Sequence, residues 1–198
     1  MQFCLSLVLC FVAFALSAQD PNGIGIRLGE PAGLSFKRFW PDDNALEVIL
    51  GTARPGWSYN YYANSFNDYT AYKDFRYRSH QVKSTLYLQS RYVLHYEIYI
   101  QGLGGKLDWY WGPGLVFKTA RVEYRYQQKE PPLQELREVR VDIDLGPEAI
   151  IGMEYRFPTV PFAAYGEISV MGELLDRPLT MRLFSGAGIR YQFGGRVQ

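Results

Sequence analysis

The stretch that decides the fold is Val139-Arg140-Val141-Asp142-Ile143-Asp144-Leu145-Gly146-Pro147-Glu148-Ala149-Ile150-Ile151-Gly152-Met153-Glu154-Tyr155-Arg156-Phe157. Every odd position is apolar, and the even positions include Arg140, Asp142, Asp144, Glu148, Glu154 and Arg156. Successive side chains of a strand point to opposite faces, so this segment is a long strand with one apolar face and one charged face.

The same pattern extends outward in both directions, and no long stretch has helical period. Eight strands can be drawn: Ile24–Gly29, Ala32–Phe39, Asn44–Arg54, Val82–Tyr96, Lys106–Val122, Val139–Phe157, Phe162–Asp176 and Met181–Gly194. Residues 24–39 read either as two strands around a tight turn at Glu30-Pro31 or as one bulged strand. Pro41-Asp42-Asp43 and Pro158–Pro161 have the composition of tight turns. Pro55–Gln81 and Glu123–Glu138 are long and fall on the opposite edge. Short turns on one edge and long loops on the other are the layout of a membrane barrel. The expected fold is therefore all-β, an eight-stranded antiparallel up-and-down barrel.

The two faces decide where such a barrel would sit. One face collects bulky apolar residues on nearly every strand, too many for the narrow interior of an eight-stranded ring. The other face carries nine positive charges, Lys83 among them, and eight negative ones, and charges in a lumen must be paired to offset their desolvation. The only charges with apolar parity, Arg38 and Arg121, are placed near strand ends, where long basic side chains can snorkel. The expectation is a transmembrane β-barrel, apolar outward, with a charged and side-chain-filled lumen. A soluble lipocalin-like ligand-binding barrel is the opposite arrangement of the same alternation.

The last strand reads Phe184-Ser-Gly-Ala-Gly-Ile-Arg-Tyr-Gln-Phe193, small residues followed by alternating aromatics. It resembles the closing strand of outer-membrane barrels. The mature chain is similar to the small eight-stranded class typified by OmpX and the OmpA membrane domain, and to uncharacterised Gram-negative outer-membrane barrels. That resemblance implies outer-membrane lipids as the surroundings and a cell outer-membrane location.

Met1–Ala18 reads as a secretory signal peptide, leaving 19–198 as a single domain. Both cysteines, Cys4 and Cys10, lie in that leader, so the mature chain would have no disulfide, thiol nucleophile or thiolate metal ligand. The formal charge of +1 points to no nucleic-acid partner. A wide aqueous pore needs about 16 strands, so no open pore is expected. No cofactor or metal is expected either, and the expected state is a monomer.

Chemistry-bearing residues are sparse. Ser79-His80 stands at the external end of the fourth strand, where a lipid A deacylase or acyltransferase would work. There His80 would be the base, Ser79 or Ser84 the nucleophile, and Glu123 or Asp74 the orienting group. A loop histidine among polar neighbours is the plainer reading, so no enzyme is expected. His95 reads as an interface residue among aromatics. Gly102-Leu103-Gly104-Gly105-Lys106 lacks the Ser or Thr and the helix of a phosphate loop. The charges Arg91, Asp108, Arg140, Asp142, Asp144, Glu148, Glu154, Arg156, Glu167, Arg182 and Arg190 read as a structural lumen network rather than a site. Trp57, Tyr59, Tyr61, Tyr62, Tyr69 and Tyr72, interleaved with Asn and Ser, have the palette of a binding loop. Loop 55–80 would then meet an extracellular glycan or protein; an aromatic girdle with a strand extension is the alternative. The expected role is structural or cell-surface interaction.

Overall fold

The computed structural model describes residues 22–40, 43–53, 59–68, 70–131, 133–175 and 180–194. The expected leader 1–18, turn residues Pro41 and Asp42, and the candidates Trp57 and Tyr69 lie outside them, as does the side chain of Tyr59. The strands are β1 (Asn22–Gly29), β2 (Ala32–Trp40), β3 (Asn44–Thr52), β4 (Phe75–Glu97), β5 (Lys106–Gln128), β6 (Glu135–Arg156), β7 (Phe162–Gly172) and β8 (Met181–Phe193). Each pairs antiparallel with its neighbour in the chain, and β8 closes on β1 from Asn22↔Phe193 to Gly29↔Gly186. Glu30-Pro31 is the tight turn between β1 and β2, so residues 24–39 form two strands.

Strand lengths differ from the sequence reading on the edge away from the termini. β4 begins at Phe75, β5 runs to Gln128 and β6 begins at Glu135, whereas β7 stops at Gly172. β3 pairs with β4 only as far as Gly51↔Tyr87, and β7 meets β6 only from Glu148↔Met171. Past those rows β4, β5 and β6 continue as a three-stranded sheet standing above the ring. The apparent loop Glu123–Glu138 is mostly this sheet, with Tyr124↔Glu138 and Tyr126↔Leu136 in register. Charged side chains on its outer face give the segment the composition of a loop, although its alternation is that of a strand.

A helix, α1 (Tyr59–Asp68), precedes the extension and is followed by a turn of 3-10 helix at Thr70–Tyr72. This overturns the expectation of no helix in the segment. Tyr62, Ser65 and Phe66 recur at three- and four-residue spacing and are its buried face. The run is short and polar, so its helicity comes from packing that face rather than from propensity.

The barrel is apolar outside and charged inside. Ile26, Leu34, Leu115 and Ile151 are 58%, 57%, 59% and 56% exposed, while Lys37, Glu47 and Asp144 are at 0%. Three side chains depart from their expected positions. Lys83 lies at a β-bulge between Val82 and Ser84, which turns it to the outer face. Arg121 is not near a strand end, because β5 continues to Gln128. His95 is not an interface residue: it faces into the barrel between Phe39 and Tyr110, ring centroids 5.3 and 5.1 Å away.

Two inward glycines make room for large neighbours. A Cβ on Gly152 would stand 2.5 Å from Tyr110 Cζ, and one on Gly186 would meet the Arg27 guanidinium. Gly152→Val should therefore displace Tyr110 and lower stability by about 1–3 kcal/mol. Gly166, on the outer face with open space beyond it, should accept the same substitution with little loss. Urea midpoints of the two refolded variants test this pair.

Candidate functional site

The lumen is built in layers. Nearest the termini, Phe39, Ala45, Val93, Tyr110 and Ile150 form a buried apolar layer. Beside it Arg156 reaches Asp108 at 2.9 Å, and Lys37 Nζ sits 2.9 Å from Glu154 and 4.4 Å from the centre of the Tyr110 ring. Arg190 binds the same Glu154 at 2.6 Å and also Glu47, while its guanidinium lies over Tyr165. In the next layer Arg91 makes a bidentate contact with Glu148, at 2.8 and 2.9 Å, and a third contact at 2.7 Å with Glu167. Arg27 Nε also donates to Glu167 at 2.8 Å, and the Tyr110 hydroxyl to its other oxygen at 2.8 Å. Arg27, Lys37, Arg91 and Arg190 thus face Glu47, Glu148, Glu154 and Glu167, equal numbers of cations and carboxylates joined through shared oxygens. Charge-assisted and bidentate bonds are the strong members of their kind.

Above the network lies a second apolar layer of Tyr87, Val116, Met171 and Phe184, with the Tyr87 hydroxyl donating to Glu30 at 2.8 Å. At the rim away from the termini, Lys118 pairs with Asp144, Arg182 meets Asp144 at 2.7 Å, and Asp142 lies 3.8 Å from Lys118. Here α1 enters the lumen. The Tyr61 hydroxyl bridges Asp144 and Glu173 at 3.0 and 2.9 Å. Arg182 lies 4.7 Å from the Tyr61 ring centre, and Lys118 is 5.1 Å from each of the Tyr61 and Tyr62 ring centres. Burial first, then the neighbouring carboxylates, push both phenols well above their usual range, so they stay protonated.

The helix is fixed over the mouth by aromatics. Phe66 stacks on Tyr72 at 4.2 Å and packs on Tyr77, Tyr124 and Tyr126. Tyr62, Ala120 and Val122 complete the cluster. The Tyr72 and Tyr126 hydroxyls both reach Glu138, at 2.8 and 3.0 Å. Arg140 lies 5.4 Å from the Tyr72 ring centre, so it belongs to this cap rather than to the closed ring.

The structure therefore divides the predicted lumen charges between a network within the ring, a group at its rim with Asp142, Asp144 and Arg182, and the cap, where Arg140 lies; it also draws the described tyrosines of the predicted binding loop inward. Tyr62 and Tyr72 are buried and Tyr61 is half-buried, all with rings or hydroxyls engaged inside the molecule. Tyr87, Tyr110 and Glu30 are network members that the sequence reading missed. Inward parity on β4 and β5 was the available signal for the two tyrosines, but a tyrosine reads equally well as an interface residue. His80 is half-buried among Tyr62, Tyr77 and Tyr124. Its Nδ1 lies 2.7 Å from the Tyr77 hydroxyl, the ring nitrogen that an orienting carboxylate would otherwise take. Glu123 is engaged by Lys83 at 3.0 Å and Arg125 at 3.5 Å.

Two outcomes follow. Arg91→Leu leaves Glu148 and Glu167 buried without their main cation, and should cost about 3–5 kcal/mol, read as a lower urea midpoint. Burial lowers the His80 pKa below its ordinary 6.5, so the fold prefers the neutral ring. Stability of the cap is then complete above that value and falls as pH drops through it toward the lower folded-state pKa. Limited proteolysis of segment 54–74 should accelerate a few-fold from neutral to mildly acidic pH, and His80→Phe should flatten that response.

No family model matches the chain, and no curated protein matches it. Among solved structures, it is similar to the N-terminal β-barrel domain of Pseudomonas aeruginosa OprF, with 15% identity, 88% of this chain and 96% of that chain covered, and a TM-score of 0.46. It is also similar to a major outer membrane protein from Thermus thermophilus, with 12% identity, 88% and 99% covered, and a TM-score of 0.47.

Proposed function

We propose that this chain is an integral outer-membrane β-barrel with a closed lumen, and that its role is structural or an interaction at the cell surface, not catalysis. The observation that carries the reading is the inverted polarity. Side chains such as Ile26, Leu28, Leu34, Leu115 and Ile151 face outward, while Arg27, Lys37, Arg91, Lys118 and Arg190 are buried within. In water this arrangement would expose a continuous apolar belt, far beyond the patches that soluble monomers carry. A bilayer makes the belt favourable, and a closed ring satisfies every ladder hydrogen bond inside it. The layered lumen supports a closed barrel, since a water-filled channel is the property of much larger rings.

Met1–Ala18 would direct export as a signal peptide. With the termini in the periplasm, α1 and the β4–β6 sheet would face outward from the cell. The edges of that sheet above the ring, and its outer face, are the surfaces such a role would use. An extracellular glycan or protein is the partner class for loop 55–80, met by its outward polar side chains rather than by Tyr62 or Tyr72.

Membrane fractionation combined with a heat-modifiability gel shift tests the reading. The protein should stay with outer membranes through carbonate and high-salt washes, and should migrate differently before and after boiling. Release by either wash would overturn it.

A further inference from the structure

The outer face of the extension carries a feature that a structural barrel does not require. It presents Arg76, Arg78, Lys83, Arg121, Arg125 and Arg137 against only Glu123 and Glu135, and every one of the six cations is exposed. Glu123 is shared between Lys83 at 3.0 Å and Arg125 at 3.5 Å. The register of β4 against β5 shifts between Tyr77 and Ser79 and again between Val82 and Ser84. The residues added at these bulges are Arg78 and Lys83, both cationic and both outward. A bulge re-aims a side chain, and both bulges add positive charge to one face.

The height of this face matters. A bilayer takes about 9–11 residues of a tilted strand, so on β5 the apolar belt starts near Lys106 and ends near Phe117. Arg121 and Arg125 lie next above it. On β6 the apolar column does not end at the same level. Val141 is paired with Arg121, Ile143 with Thr119 and Leu145 with Phe117, and Val141, Ile143 and Leu145 are all exposed. Cations on β4 and β5 thus stand beside an apolar strip continuous with the belt.

We infer that this face binds a phosphorylated lipid of the outer leaflet, with the phosphate on Lys83, Arg121 and Arg125 and an acyl chain along Val141, Ile143 and Leu145. Charge complementarity selects the headgroup, and continuity with the belt selects a lipid over a soluble anion. The inference rests on the outer-membrane reading and on its orientation.

The test uses the refolded full chain in zwitterionic detergent, titrated with bisphosphorylated lipid A, dephosphorylated lipid A and inorganic phosphate, with bound lipid counted by native mass spectrometry. The bisphosphorylated form should bind most tightly and weaken with added salt. Each of Lys83→Gln, Arg121→Gln and Arg125→Gln should weaken it about fivefold. Arg38→Gln, at the opposite end of the barrel, should leave it unchanged. Equal binding of the dephosphorylated lipid, competition by inorganic phosphate alone, or an equal loss in Arg38→Gln overturns the inference. The salt dependence of the unaltered protein decides the matter if a variant fails to refold. A heat-modifiable barrel without phosphate preference overturns this inference alone, whereas a chain that never enters membranes overturns the outer-membrane reading with it.

Discussion

Arg91, on β4, reaches Glu148 on β6 and Glu167 on β7, and Glu167 is also held by Arg27 from β1 and Tyr110 from β5. A few side chains thus connect most of the ring across its own interior. Taking a carboxylate or guanidinium out of water costs several kcal/mol per ion, and close pairing must offset that cost. An eight-stranded ring leaves little internal space, so each charge has to find its partner within the ring. The glycines under Tyr110 and Arg27 follow from the same crowding. The inner face is a solved packing problem, and it leaves the apolar residues of every strand nowhere to go but outward.

The chemistry changes where the ring ends. Among the described residues, β3 and β7 end below the top of the β4–β6 sheet, and its inner face must be covered. Three strands hold their shape when one face is packed. Tyr62, Phe66 and Tyr72 provide that packing against Tyr124 and Tyr126. α1 therefore has two tasks. Phe66 supports the sheet, and Tyr61 reaches down to Asp144 and Glu173 to tie the cap to the lumen.

Much of this was legible in the sequence. The alternation of 139–157 gave strand, face and lumen for Asp142, Asp144, Glu148 and Glu154 at once, because a period of two fixes all of them together. Lys83 escapes the parity of its strand because a bulge adds a residue without changing composition. The sequence understates β4 to β6 because the polar residues above the ring resemble a loop. The helix does not stand out in the sequence because its period consists of little more than Tyr62 and Phe66 in a short polar run, and it forms by packing them on the sheet. Tyr61 and Tyr72 read as surface tyrosines because a phenol is equally at home on a boundary and in a polar core.

The division between ring and extension also separates what can vary from what cannot. Inside the ring, changing one member of the Arg91–Glu148–Glu167 group strands the others, since they share oxygens. Outside it, Arg76, Arg125 and Arg137 stand on a solvated face where substitution costs little folding energy. A row of like charges on such a face is not explained by stability, because adjacent cations repel: Arg125 and Arg137 stand directly opposite each other in the β5–β6 register. The inner face is mixed in sign because its buried charges must pair; the solvated outer face of the extension is under no such constraint, and its basic excess is the ground on which an anion is inferred there.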